Sequence, residues 1–146
     1  AGLDDLCPGG DERMPDWVRT QIDLVLPGGT ALLNGADPQV MALARYSDGE
    51  VMVFAEHETE PALQQHRAGG GRAAFWRAGV LVLAHGAQET EVLQQQRPAV
   101  AKLLRSGRLS AQDMLVASAA AWALDVPADL IRAGVKSFGQ TPPSPY

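Results

Sequence analysis

The stretch Leu32-Leu33-Asn34-Gly35-Ala36-Asp37-Pro38-Gln39-Val40 decides how this chain is read. It follows an amphipathic run and the turn Pro27-Gly28-Gly29, so residues 30–33 are expected to form a buried strand that stops abruptly. The polar group Asn34-Gly35-Ala36-Asp37 then falls at the carboxyl end of that strand, with Pro38 where a helix opens. Proline suits that position because its φ is already helical and its missing N–H would have had no partner. In open α/β sheets, ligands sit at the carboxyl ends of strands. A primary amide there offers a donor beside an acceptor, the pattern that matches a nucleobase edge. The same residues also make an ordinary helix cap with a turn.

Upstream, Asp16 is placed to cap a helix carrying Trp17, Val18, Ile22, Leu24 and Val25 inward, while residues 1–15 lack any period and read as a flexible arm. Downstream, a helix is expected over 38–46 with Val40, Leu43 and Ala44 on one face, followed by the turn Ser47-Asp48-Gly49. Residues 51–55 are almost continuously apolar, as in a parallel sheet covered on both faces. A helix over 61–68 closes on Gly69-Gly70-Gly71. The texture then changes. Short strands over 72–77, 80–84 and 89–93 are joined by Ala78-Gly79 and His85-Gly86, which is hairpin chemistry, so a small antiparallel flap is expected. A helix over 98–105 and an alanine-rich one over 114–124, capped by Ser110, come next. Asp125-Val126-Pro127 breaks the chain before a last amphipathic helix with Leu130, Ile131, Val135 and Phe138 inward. The proline-rich residues 141–146 cannot be helical.

With 146 residues the chain suffices for one compact domain, or one lobe and a piece of the next. Seventeen acids against 12 bases argue against nucleic acid, whose phosphates ask for a basic face. No apolar run reaches bilayer length and no secretory signal opens the chain, so no membrane partner is expected. Cys7 is the only cysteine, which forbids an internal disulfide and fits a reducing, cytoplasmic setting.

Two further segments extend the pattern. One is Leu63-Gln64-Gln65-His66-Arg67-Ala68-Gly69-Gly70-Gly71-Arg72-Ala73-Ala74-Phe75; the other runs from Ala119-Ala120-Ala121-Trp122-Ala123-Leu124 to Ile131-Arg132-Ala133-Gly134-Val135-Lys136-Ser137-Phe138. With the Asn34 turn, in this order and at these separations, they resemble the Mur-ligase-like half of cyanophycin synthetase, within the Mur ligase superfamily. The resemblance runs from about Trp17 to Phe138, with a diverged stretch between Val92 and Ala111. It implies an α/β fold. Residues 16–97 would be the end of a central nucleotide-binding domain with parallel strands and the flap, and 98–146 the helical start of the C-terminal domain.

The resemblance also implies an ATP-dependent amide ligase. There a carboxylate is phosphorylated by ATP and an amine displaces the phosphate, in this half adding arginine to aspartate side chains of a polymer. The family's Asn-Ala-Asp-Asp turn contacts adenine through its asparagine, a role that carries over to Asn34; its second aspartate matches Asp37, expected to border that site, and its first is replaced by Ala36. ATP and Mg²⁺ are the cofactors of the intact family enzyme.

Departures from the family count against activity. No Gly-x-x-Gly-Lys-Thr loop occurs, and neither Pro8-Gly9-Gly10 nor Gly69-Gly70-Gly71-Arg72 is followed by Lys-Ser/Thr, so nothing here cradles β- and γ-phosphates. The family's Pro-Gly-Arg turn would fall near Thr141-Pro142-Pro143-Ser144, which holds no arginine, and its asparagine at the start of the alanine-rich helix is replaced by Asp113, still a capping residue. No catalytic residue and no metal ligand is assigned, and the chain alone is expected neither to hold ATP tightly nor to form amide bonds. Its partners would be the rest of a parent ligase or a second copy. The competing reading is a non-catalytic, degenerate interaction or oligomerisation module.

The other constellations read as structural. His57, His66 and His85 with Cys7 match no zinc spacing and read as surface histidines. Glu56, Glu58 and Glu60 read as an acidic solvated loop, Lys102, Arg105 and Arg108 as a solvated helix end, and Trp76 and Trp122 as packing residues.

Overall fold

The computed structural model describes residues 16–138. The expectations for the arm, for Cys7, for the side chain of Trp17 and for the tail lie outside these residues.

Strand β1 (Thr30–Asn34) pairs in parallel with β2 (Glu50–His57), and β2 in parallel with β3 (Arg72–Arg77). β4 (Val80–His85) and β5 (Gln88–Gln94) then add antiparallel, giving one sheet in the order β1-β2-β3-β4-β5. Chain order equals spatial order because every connection is local. The first crossover is α2 (Pro38–Met41), which tightens into a 3-10 stretch over Ala42–Tyr46, a common ending for a helix. The second is α3 (Pro61–Ala68). The antiparallel strands expected as a flap are the far half of this same sheet, since β3 pairs with β2 on one edge and β4 on the other.

Alternation along the strands splits the side chains between two faces. One face presents Met52, Ala74, Trp76, Leu81, Leu83 and Leu93 to α4 (Pro98–Arg105), α5 (Ala111–Ala123) and α6 (Ala128–Phe138). The other presents Val53, Ala55, Ala73, Phe75, Val82 and Ala84 to Leu63 of α3. β3 and β4 are buried on both faces, which is why their sequences are almost wholly apolar. The β3–β4 turn places both Ala78 (φ 47) and Gly79 (φ 78) in the left-handed region, the geometry that matches strand twist in a two-residue hairpin.

Three apolar expectations are corrected. Leu24 is 72% exposed because α1 (Asp16–Asp23) ends one residue before it and the helical period no longer applies. On α6 only Ile131 is buried and Val135 half-buried, whereas Leu130 and Phe138 are exposed. Consecutive helical residues point about 100° apart, so the narrow seam defined by Ile131 and Val135 leaves Leu130 facing out.

β5 is an edge strand, and edges invite unwanted pairing. Its register shifts opposite Leu81 and Val82, leaving Val92 as the extra residue. Arg132 of α6 donates to the carbonyls of Val92 (3.2 Å) and Glu91 (2.5 Å) and also pairs with Asp129. The bulge is therefore capped by a side chain rather than left open to another strand.

Candidate functional site

The Asn34 turn lies at the carboxyl ends of β1 and β2, as the sequence implies. The Gly35 N–H donates to the Phe54 carbonyl at 2.8 Å, drawing the turn against β2. A Cβ at position 35 would stand 2.9 Å from Val53 Cγ1, so only glycine lets the chain pass this closely. Asn34 Oδ1 accepts from the Ala36 N–H at 3.0 Å, which fixes the orientation of the amide. Asp37 Oδ1 accepts from the N–H groups of Gln39 (2.9 Å) and Val40 (3.2 Å), capping α2. Its carboxylate serves the helix start and does not line the cleft beside Asn34.

That cleft, of about 350 Å³, is bounded by Asn34 and Ala36 of the turn, by Phe54, Glu56 and His57 of β2, and by Glu60 and Gln112. Two local features build its walls. In β2 the pairing steps from Ala55–Phe75 to His57–Trp76, so Glu56 is an extra, bulged residue at the rim. Opposite, the start of α5 is held by Trp76 Nε1, which donates to the Ala111 carbonyl at 3.0 Å. A capping box completes that anchor: Ser110 Oγ accepts from the Asp113 N–H at 3.0 Å, while Asp113 Oδ2 accepts from the Ser110 N–H at 2.8 Å. These bonds hold the Asp113 carboxyl below its ordinary range. With Asp113 engaged in the cap, Gln112 is the α5 residue that reaches the cleft.

The three glutamates differ in their surroundings. Glu58 accepts from Arg77 Nε at 2.5 Å, and Arg77 also binds Glu89 at 2.7 and 2.9 Å. Arg67 joins the same carboxylate at 2.6 Å, and both guanidiniums lie near the buried Phe75 ring. Hydrogen bonds from Arg77, reinforced by Arg67 and opposed by partial burial, depress the Glu89 carboxyl to about 2. Glu58 is thus an ion-pair partner rather than a solvated loop residue. Glu56 is exposed, and Glu60 is half-buried with no hydrogen-bond or ion-pair partner for its carboxylate among the described residues.

At the opposite end of the parallel strands, Arg72 is buried. It binds Glu50 through two bonds (2.8 and 2.6 Å), the Thr30 hydroxyl (3.3 Å) and the Trp122 carbonyl (3.1 Å). It also faces the Trp122 ring. The first three strands and the end of α5 are joined through this one guanidinium, so α5 is anchored at both ends, by Trp76 and by Arg72. This clamp, the Glu56 bulge and Gln112 escape sequence reading; only the arginine after the triple glycine marked the first.

His57 and His85 are exposed, as expected, but His66 is not a surface histidine. Its Nε2 is buried and its ring lies against Gly71, where a Cβ has no room. Among the described residues no three His, Cys, Asp or Glu converge as metal ligands. Lys102, Arg105 and Arg108 are exposed.

The groups present fit a purine ring: a fixed amide, an aromatic wall and free acceptors, with no lysine or arginine lining the cleft. They do not fit a Mg²⁺–triphosphate, which would meet Glu56 and Glu60 with no lysine or arginine of the chain to offset its charge.

No protein-family profile matches the chain. It is 30% identical over 124 residues to the cyanophycin synthetase of a Nostoc species and 29% over 119 residues to that of Geminocystis herdmanii. The corresponding enzyme of a Synechocystis species is 27% identical over 132 residues. These matches take in 81, 78 and 87% of this chain but only 13, 13 and 14% of the relatives, so the chain spans a small part of their length. Over most of its length, the chain is similar to a segment of cyanophycin synthetase.

Proposed function

We propose that the chain is the nucleotide-side portion of a cyanophycin-synthetase-like, ATP-dependent amide ligase. It would correspond to the end of a Mur-ligase-type central domain and the start of the C-terminal domain. The observation that carries this reading is the Asn34 turn, set at the carboxyl ends of two parallel strands beside an open cleft. The similarity to cyanophycin synthetases along the chain supports it. Asn34 contacts adenine through Nδ2, the end of the amide that its own turn leaves free. Asp37 serves the same site indirectly, by fixing α2 behind the turn.

ATP, bound with Mg²⁺ in the intact ligase, supplies the phosphoryl group that activates a carboxylate toward an amine. The residues of this chain orient the base; phosphates are held by the rest of the parent enzyme. Alone, the chain binds the nucleoside end weakly and forms no amide bond. Titration with adenosine, followed by ¹H–¹⁵N NMR, should shift the Asn34 side-chain amide, and Asn34→Ala should abolish the response. Phosphate release from Mg-ATP by the purified chain above a heat-killed control would contradict the predicted inactivity.

A second reading, a non-catalytic interaction module, is favoured by the exposed Leu24, Leu26, Leu124, Leu130 and Phe138. A stable dimer in sedimentation that is indifferent to adenosine would support it over the first.

A further inference from the structure

Asn34 offers one half of a recognition pair. Its Oδ1 is turned to the Ala36 N–H, so the free end of the amide is a donor. On its imidazole side, adenine presents the N7 acceptor, which a 6-oxo purine keeps, next to the exocyclic amine donor. The Nδ2 donor matches the ring nitrogen, and the amine then needs an acceptor close to Asn34. Of the three glutamates, Glu58 is held by Arg77 and Glu56 is exposed on its bulge. Glu60 remains. It is half-buried, its carboxylate has no partner among the described residues, and its Cγ lies 3.6 Å from where a Gly35 Cβ would stand, directly beside Asn34. It is also the N-cap of α3 without making a side-chain cap bond, so the helix does not need its carboxylate. Gln112, across the cleft, can swap donor and acceptor by rotation and does not discriminate.

We infer that Glu60 is the acceptor half of the base-reading pair and that the cleft thereby selects a 6-amino purine over a 6-oxo purine. This rests on the adenine reading of the Asn34 cleft. An ionised carboxylate can only accept. A 6-oxo purine turns a carbonyl oxygen toward it, so one bond is lost and two acceptors face each other.

The test is a ¹H–¹⁵N titration of the 146-residue chain with adenosine and, separately, with inosine. Adenosine should bind about tenfold more tightly, a modest ratio because the cleft is open to water. Glu60→Gln, whose amide can donate, should bring the ratio near one by improving inosine. Glu60→Leu should weaken adenosine and, by removing the opposed acceptor, leave inosine no weaker than in the wild type. A merely structural role would weaken both nucleosides alike in both variants. An unchanged ratio in Glu60→Gln, with the Asn34 response intact, overturns the role of Glu60 alone. A wild-type chain that binds neither nucleoside overturns the underlying adenine reading, and this inference with it.

Discussion

Replacing Arg72 by methionine keeps most of the aliphatic stem and removes the guanidinium that joins β1, β2, β3 and α5. Its side chain is 10% exposed, whereas that of its partner Glu50 is 44% exposed. Breaking a fully buried pair costs about 3–5 kcal/mol, but Glu50 can rehydrate, so that term falls to about 1 kcal/mol. The charge-assisted bond to the Trp122 carbonyl adds about 1.5 kcal/mol. Asp125, at 3.7 Å and 93% exposed, adds almost nothing. The expected loss is about 2–3 kcal/mol, or roughly 5–10 °C in Tm for a chain of this size. Urea unfolding followed by circular dichroism gives the value by linear extrapolation. Glu50→Gln should cost about 1 kcal/mol, and the double mutant should show that the two losses are not additive. A loss below about 0.5 kcal/mol for Arg72→Met, within the range of ordinary surface changes, would refute the clamp.

Three other outcomes follow from the geometry. Gly49→Ala should destabilise by at least about 2 kcal/mol in the same urea assay, because the new Cβ would press on the Gly29 carbonyl and stand 2.5 Å from that of Leu26. Asp37→Ala should cost about 1 kcal/mol through loss of the α2 cap, whereas Asp37→Ser should recover most of it. For Glu89, the folded carboxyl lies near 2, below its ordinary 4.5. Its stabilisation is fully present above pH 5 and is lost as pH falls toward 2. The stability gap between wild type and Glu89→Gln should therefore shrink over that window, and a gap independent of pH would contradict the Arg67–Glu89–Arg77 network.

The parallel half of the sheet is legible because its signals are local. Pro27-Gly28-Gly29, Asn34-Gly35 and Ser47-Asp48-Gly49 bracket apolar runs too short for helices. The Ser110 cap is legible for the same reason: serine three residues before Asp113 completes a reciprocal bond that tertiary context does not alter. What escaped depends on contacts distant in sequence. Nothing near Leu130 or Phe138 tells which side of α6 meets the sheet; that is set by Arg132 reaching β5, 40 residues away for the Val92 carbonyl. Glu58 resembles its neighbours Glu56 and Glu60 until β3 brings Arg77 beside it. Likewise the cleft emerges only when α5 returns across the sheet and sets Gln112 opposite Asn34. Asn34 itself could be singled out from sequence, but its free donor could not. That follows from the Ala36 N–H occupying Oδ1, a detail of turn geometry.

Intermolecular nuclear Overhauser effects between bound adenosine and the chain decide whether the Asn34 cleft is a base site. The adenine ring protons should contact the Phe54 ring and the Ala36 methyl, and these contacts should be lost in Asn34→Ala. Contacts that fall instead on the groove between β5 and α6, around Arg97 and Lys136, would contradict a base site at Asn34, as would their complete absence at millimolar adenosine.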